Sequence, residues 1–125
     1  MITYKQVEAE MIKLVKAQPD FKYRDFRAKQ LGVNESSHRI SCAYLDDDNE
    51  GSCIWGLALV EAGIPVEDIK AHEGESISHV LELLNIDVSS DEEAFADTVQ
   101  SCQDKNYSWE SALEMALEMT GHEIV

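Results

Sequence analysis

The sequence predicts an α+β fold: a mainly helical single domain, residues 1–125, with one small antiparallel β unit. Two observations carry the prediction. Apolar residues recur at helical spacing between serine or threonine caps and glycine stops along most of the chain. Two short stretches, Phe21–Phe26 and Arg39–Leu45, read instead as strands, and an acidic turn follows the second.

Thr3 and Gln6 have the spacing of a capping box, in which each side chain bonds a free N–H at a helix start. Val7, Met11, Leu14 and Val15 then fall on one face, and Pro19 ends the pattern. Phe21-Lys-Tyr-Arg-Asp-Phe26 alternates and is rich in aromatics, so it is expected as a strand. Arg27 to Arg39, with Gly32, Asn34, Ser36 and Ser37, reads as a loop. Arg39 to Leu45 is the second expected strand. Asp46 to Gly51 is a turn, because Asp, Asn and Gly accept tight backbone angles.

Ser52 is the expected cap of a helix over Cys53 to Ala62, with Gly63 as its left-handed stop. Pro65 opens a short helix through Lys70. Ser76 caps another, with Ile77, Val80, Leu81 and Leu84 on its inner face. Ser90 and Glu93 have capping-box spacing ahead of Phe95, Val99 and Cys102. Ser108 caps the last helix, with Trp109, Leu113, Ala116 and Leu117 inward and Gly121 as its stop. This gives five or six helices, mostly short. Gly56, inside a helix pattern, costs roughly 1 kcal/mol against alanine. Close approach of another backbone is the simple reason to keep it, with Tyr44 or Trp109 as the candidate neighbour.

The formal net charge of −15 is unevenly placed. Residues 1–41 carry eight Lys/Arg against five acids, and residues 42–125 carry two against twenty. Such a field disfavours direct nucleic-acid binding on the acidic side and favours a partner with a basic surface. An acidic surface that serves solubility alone is the competing reading. No apolar run approaches the ~20 residues of a membrane span. The opening MITYKQVEAEMIK lacks the order of a signal peptide, and three cysteines without a CxxC do not make a disulfide framework. The expected location is the cytoplasm.

Three chemical readings of the segment 38–57 fall short. Asp46-x-Asp48-x-Glu50-Gly51 copies the opening of a calcium loop, but position twelve, where the bidentate acid belongs, is Leu57. His38, Cys42, Cys53 and Cys102 are zinc-ligand types without the usual close pairing. Cys53 sits at an expected helix start, where a thiolate is favoured, but no spacing brings His38, His72, His79 or His122 beside it. No catalytic residue, metal or cofactor is expected. The remaining constellation is basic and aromatic: Lys22, Tyr23, Arg24, Phe26, Arg27 and Lys29, joined by Arg39. Guanidinium groups hold phosphate and rings stack on bases, so these residues would be the site of a nucleotide-like ligand under an alternative reading of the chain as a ligand binder. A half-buried edge strand with a wet cationic face is the structural alternative.

The pattern Cys42-Ala-Tyr44, an acidic turn, then Cys53-Ile-Trp-Gly-Leu-Ala-Leu59 and Gly63-Ile64 resembles small uncharacterised accessory proteins of phages that infect actinobacteria. The resemblance spans about residues 40–115, with Trp55 standing where the pattern has valine. It implies no reaction. The expected function is therefore a non-enzymatic acidic interaction protein, a phage accessory factor that binds a host protein in host takeover. The alternative is a protein that binds a nucleotide signal in counter-defence. Opposite charge signs in one small chain, with Phe21, Tyr23 and Phe26 to supply an apolar centre, also allow a homodimer.

Overall fold

The structure is a computed structural model that describes residues 2–37, 40 and 43–124. Its described elements are seven helices: α1 Tyr4–Ala17, α2 Tyr23–Leu31, α3 Ile54–Ala62, α4 Val66–Lys70, α5 Ile77–Leu83, α6 Ser90–Asp104 and α7 Trp109–Thr120. Among the described residues no strand forms, and the only β feature is an isolated bridge between Leu45 and Gly51. The expected α+β class, with its β unit from Phe21–Phe26 and Arg39–Leu45, is therefore corrected to an all-helical architecture.

The helix signals are local, and the chain follows most of them. The Thr3–Gln6 capping box closes α1, which buries Val7, Met11 and Val15. Ser76 and Ser108 cap α5 and α7 through the amides of His79 and Ser111. Gly63 and Gly121 end α3 and α7 at φ of 99° and 69°, the left-handed conformation that glycine takes without strain. The second capping box lies one residue earlier than expected, on Ser89 and Glu92. That register turns Phe95, Ala96, Val99, Gln100 and Gln103 inward together.

The supposed first strand is the start of α2. Lys22 is its N-cap, Asp25 and Lys29 sit at the ends that suit the helix dipole, and Gly32 stops it at φ 68°. The segment from Arg27 to Leu31 is made of strong helix formers, so the expected loop is helix up to that point. Within the supposed second strand, residues 39, 41 and 42 lie outside the described residues. Ala43–Leu45 bends at Tyr44 and has no partner strand among the described residues, only the Leu45–Gly51 bridge. Its polar groups are satisfied instead by side chains and by the start of α3. The Glu73 carboxylate accepts from the amides of Tyr44 and Leu45 at 2.8 and 3.0 Å. Ser52 N donates to Tyr44 O, Cys53 N to Ala43 O, and Ala43 N to the Tyr23 hydroxyl. A backbone whose donors and acceptors are already used has no ladder to offer.

One apolar cluster runs through the molecule, with Trp55, Trp109, Tyr23, Tyr44 and Phe95 as its largest buried side chains. α1 packs on α3, α6 packs on α7, and α5 lies against α6. Gly56 faces the Tyr44 carbonyl directly. A Cβ there would overlap the carbonyl oxygen and lie 2.6 Å from its carbon. The expected close backbone approach is thus present, and Tyr44 rather than Trp109 makes it.

Buried amides from α6 hold two other helices by their starts. Gln103 Oε1 accepts from Ile54 N, the first amide of α3, at 2.7 Å and from the Trp109 indole at 3.2 Å. Gln100 Oε1 accepts from Ile77 N, the first amide of α5, at 2.9 Å, while its amide donates to the Tyr44 hydroxyl. Asp97, one turn earlier, accepts from Ser78 N and Ser78 Oγ. Helix starts leave unpaired N–H groups, and α3 has no side-chain cap of its own.

Candidate functional site

The basic and aromatic residues of α2 do not form one surface. Tyr23 is fully buried, its hydroxyl bonded to Ala43 and close to Ser52 Oγ at 3.4 Å. Its ring is therefore not offered to a ligand. Arg24 donates to three backbone carbonyls, of Glu35, Ser37 and Ile40, at 2.8, 2.9 and 3.2 Å. The guanidinium is a clamp on the segment after α2. Arg27 donates to Gln30 Oε1 at 2.8 Å, and its Nε is buried without a partner among the described residues. Lys22, Phe26 and Lys29 are exposed and share a face by their i, i+4, i+7 spacing. Arg39 lies outside the described residues.

The metal and thiol candidates separate in the same way. His38 and Cys42 lie outside the described residues. Cys53 and Cys102 are buried thiols, and burial pushes the Cys102 thiol above its ordinary range. The acidic turn folds on itself: Asp46 Oδ1 accepts from the amides of Asp48 and Glu50 at 2.9 and 3.0 Å. Among the described residues no three His, Cys, Asp or Glu side chains gather as a metal ligand set. His79 bonds Glu75 at 2.6 Å on the surface.

A buried polar cluster that the sequence did not suggest joins the two ends of the described chain. His122 Nε2 meets Glu8 Oε1 at 2.7 Å, and the Tyr4 hydroxyl donates to the same oxygen at 2.9 Å. The His122 ring lies 4.4 Å from that of Phe95. Burial, reinforced by the Glu8 carboxylate, pushes the Tyr4 phenol far above its ordinary value. The cluster is a tie between α1 and the segment after α7. Its signal in the sequence is only Glu8, a carboxylate within a turn of buried Val7 and Met11 on α1.

The surface feature with the most chemical character is a cleft of about 450 Å³ between α2, the acidic turn and the start of α7. Its apolar wall is Phe21, Phe26, Leu57 and Trp109. The rings form a row, with Phe21 4.4 Å from Trp109 and 5.4 Å from Phe26. The row is fixed because the first amides of α7 bond the preceding loop: Trp109 N donates to Phe21 O at 2.9 Å and Glu110 N to Pro19 O at 3.0 Å. Asp46, Asp48 and Glu50 of the acidic turn line the same cleft. Gly51 presses this turn onto α3, since a Cβ there would lie 2.8 Å from Leu57 Cα. Among the described residues no lysine, arginine or histidine lines the cleft.

Acids dominate the rest of the surface too. Glu110, Glu114 and Glu118 are exposed at i, i+4, i+8 on α7. Among the described residues a lysine or arginine meets a carboxylate in one ion pair, Lys13–Glu10 at 3.1 Å. No described helix is long and apolar enough to cross a membrane. Comparison with protein-family models, with curated proteins and with solved structures finds no match for this chain.

Proposed function

We propose that the protein is a non-enzymatic interaction protein whose acidic surface captures a basic surface on another protein. The resemblance of the Cys42–Ile64 region to phage accessory proteins makes a host protein the natural partner, with host takeover as the outcome.

The observation that supports this reading is the unpaired carboxylate stripe of α7. Like charges at i, i+4 destabilise a helix by about 0.2–0.5 kcal/mol a pair, and Glu110, Glu114 and Glu118 make two such pairs. Glu118 also sits near the C-terminal end of α7, where the dipole disfavours an acid, and no basic residue offsets it there. Solubility does not require charge in this unfavourable arrangement. A basic partner would relieve both terms on binding.

The double variant Glu114→Gln/Glu118→Gln is expected to be more stable than the parent by about 0.5–1.5 kcal/mol in urea. It should also capture less host protein from lysate. The parent's capture should fall between low and high salt, because exposed charges are screened over a Debye length of about 8–10 Å. A partner held equally by the double variant, or equally at high salt, would rule electrostatic capture out. The nucleotide-signal alternative keeps Lys22, Phe26 and Lys29 on one face but loses Tyr23 and Arg24, which are engaged elsewhere.

A further inference from the structure

We infer that the cleft between α2 and the acidic turn seats an arginine side chain presented by the basic partner, an inference that rests on the function proposed above. Phe26 is a large apolar side chain left 42% exposed at the cleft mouth. It is the outer member of the row Trp109–Phe21–Phe26, so its ring is held in place from behind. In the same cleft, the carboxylates of Asp48 and Glu50 make no hydrogen bond or ion pair with any described residue, whereas Asp46 is occupied by the turn's own amides. An aromatic ring and unpaired carboxylates lining one cleft are complementary to a cation with a flat apolar surface. Guanidinium fits that description better than ammonium. It is planar, more weakly hydrated, stacks on rings and bonds carboxylates through a fork. Among the described residues the lining holds no cation of its own to compete, and a volume of about 450 Å³ falls in the range of ligand-binding clefts.

The probe is a capped peptide, Gly-Ser-Arg-Ser-Gly, titrated into isotopically labelled full-length protein and followed by NMR. Shifts are expected at the Trp109 indole and at the amides of Phe26, Asp48, Glu50 and Leu57. The same peptide with citrulline, which keeps the shape and loses the charge, should bind at least about five-fold more weakly. Lysine in place of arginine should weaken binding about three-fold. Phe26→Leu keeps an apolar side chain but removes the ring, and should cost about three-fold. Asp48→Asn/Glu50→Gln should cost about five-fold at low salt. These side chains are exposed, so the variants should fold, and unchanged circular dichroism checks that they do. Shifts confined to Glu110, Glu114 and Glu118 would overturn the cleft while leaving acidic capture standing. No shifts anywhere would overturn both. Equal binding of the citrulline peptide, or no effect of Phe26→Leu, would overturn the cleft alone.

Discussion

Gly56→Ala is expected to destabilise the protein by about 4 kcal/mol or more, a large share of the 5–15 kcal/mol that holds a domain of this size. Intrinsic propensity points the other way, since alanine in a helix interior is favoured over glycine by about 1 kcal/mol. The steric term wins because the neighbour is backbone. The added methyl would overlap the Tyr44 carbonyl oxygen and lie 2.6 and 2.7 Å from its carbon and Cα, where ordinary contact begins at 3.4 Å. A flexible side chain could swing away. This segment cannot, because Tyr44 O accepts from Ser52 N and the amides of Tyr44 and Leu45 are held by Glu73. Moving it would break those bonds or lift α3 from its packing against α1. Urea denaturation reads the loss directly, and Ala58→Gly in the same helix should show the ordinary cost of about 1 kcal/mol, plus the small loss of a buried methyl. A Gly56→Ala protein as stable as its parent would mean that the Tyr44 segment does not lie on α3.

Gln103→Leu is expected to cost about 2–5 kcal/mol. Leucine keeps much of the volume of a side chain that is fully buried. It removes the one oxygen that serves both the first amide of α3 and the indole of Trp109. Each buried donor left without an acceptor costs about 1–3 kcal/mol, because water cannot reach it. The urea midpoint should fall with an unchanged slope, and the Trp109 emission should report a changed indole environment before unfolding. If the variant loses less than about 1 kcal/mol, the two donors have found other acceptors and Gln103 is not the joint described.

The helices were legible in the sequence because their signals are local. Thr3, Ser76 and Ser108 announce starts, and Gly63 and Gly121 announce stops, within a few residues of the events they control. The β unit was misread because a strand depends on something distant. Phe21–Phe26 alternates over only six residues, and the same residues begin a helix once Arg27–Leu31 is counted with them. Whether Ala43–Leu45 could pair was decided by Glu73, 28 residues from Leu45, and by the Tyr23 hydroxyl. Ser90 and Glu93 matched the capping-box pattern as well as Ser89 and Glu92 do, and the register was settled by which set buried Phe95 and Val99. The candidate site was half legible. Phe21 and Phe26 stand out in the sequence, but beside the wrong partners: the sequence sets them among Arg24 and Lys29, and the fold puts them with Asp48 and Glu50. A better signal was present in α6, where Gln100 and Gln103 fall on the apolar face with Val99. A glutamine there has to serve some other polar group.

That dependence orders the assembly of the chain in time. α3 and α5 have nine and seven residues, below the roughly 12–15 at which a helix holds its shape alone in water. Each has its first amide capped by a residue that follows it in the sequence, on a fifteen-residue helix with its own capping box. During synthesis the chain emerges N-terminus first, so the first amides of α3 and α5 wait without their glutamine acceptors until residues 90–104 have cleared the ribosome. A nascent chain with residues 1–88 clear of the ribosome should therefore leave the amides of α3 and α5 exchanging with solvent at coil rates, whereas release of α6 should protect both helices together. Protection of α3 before α6 emerges would show that its start needs no help from the later helix.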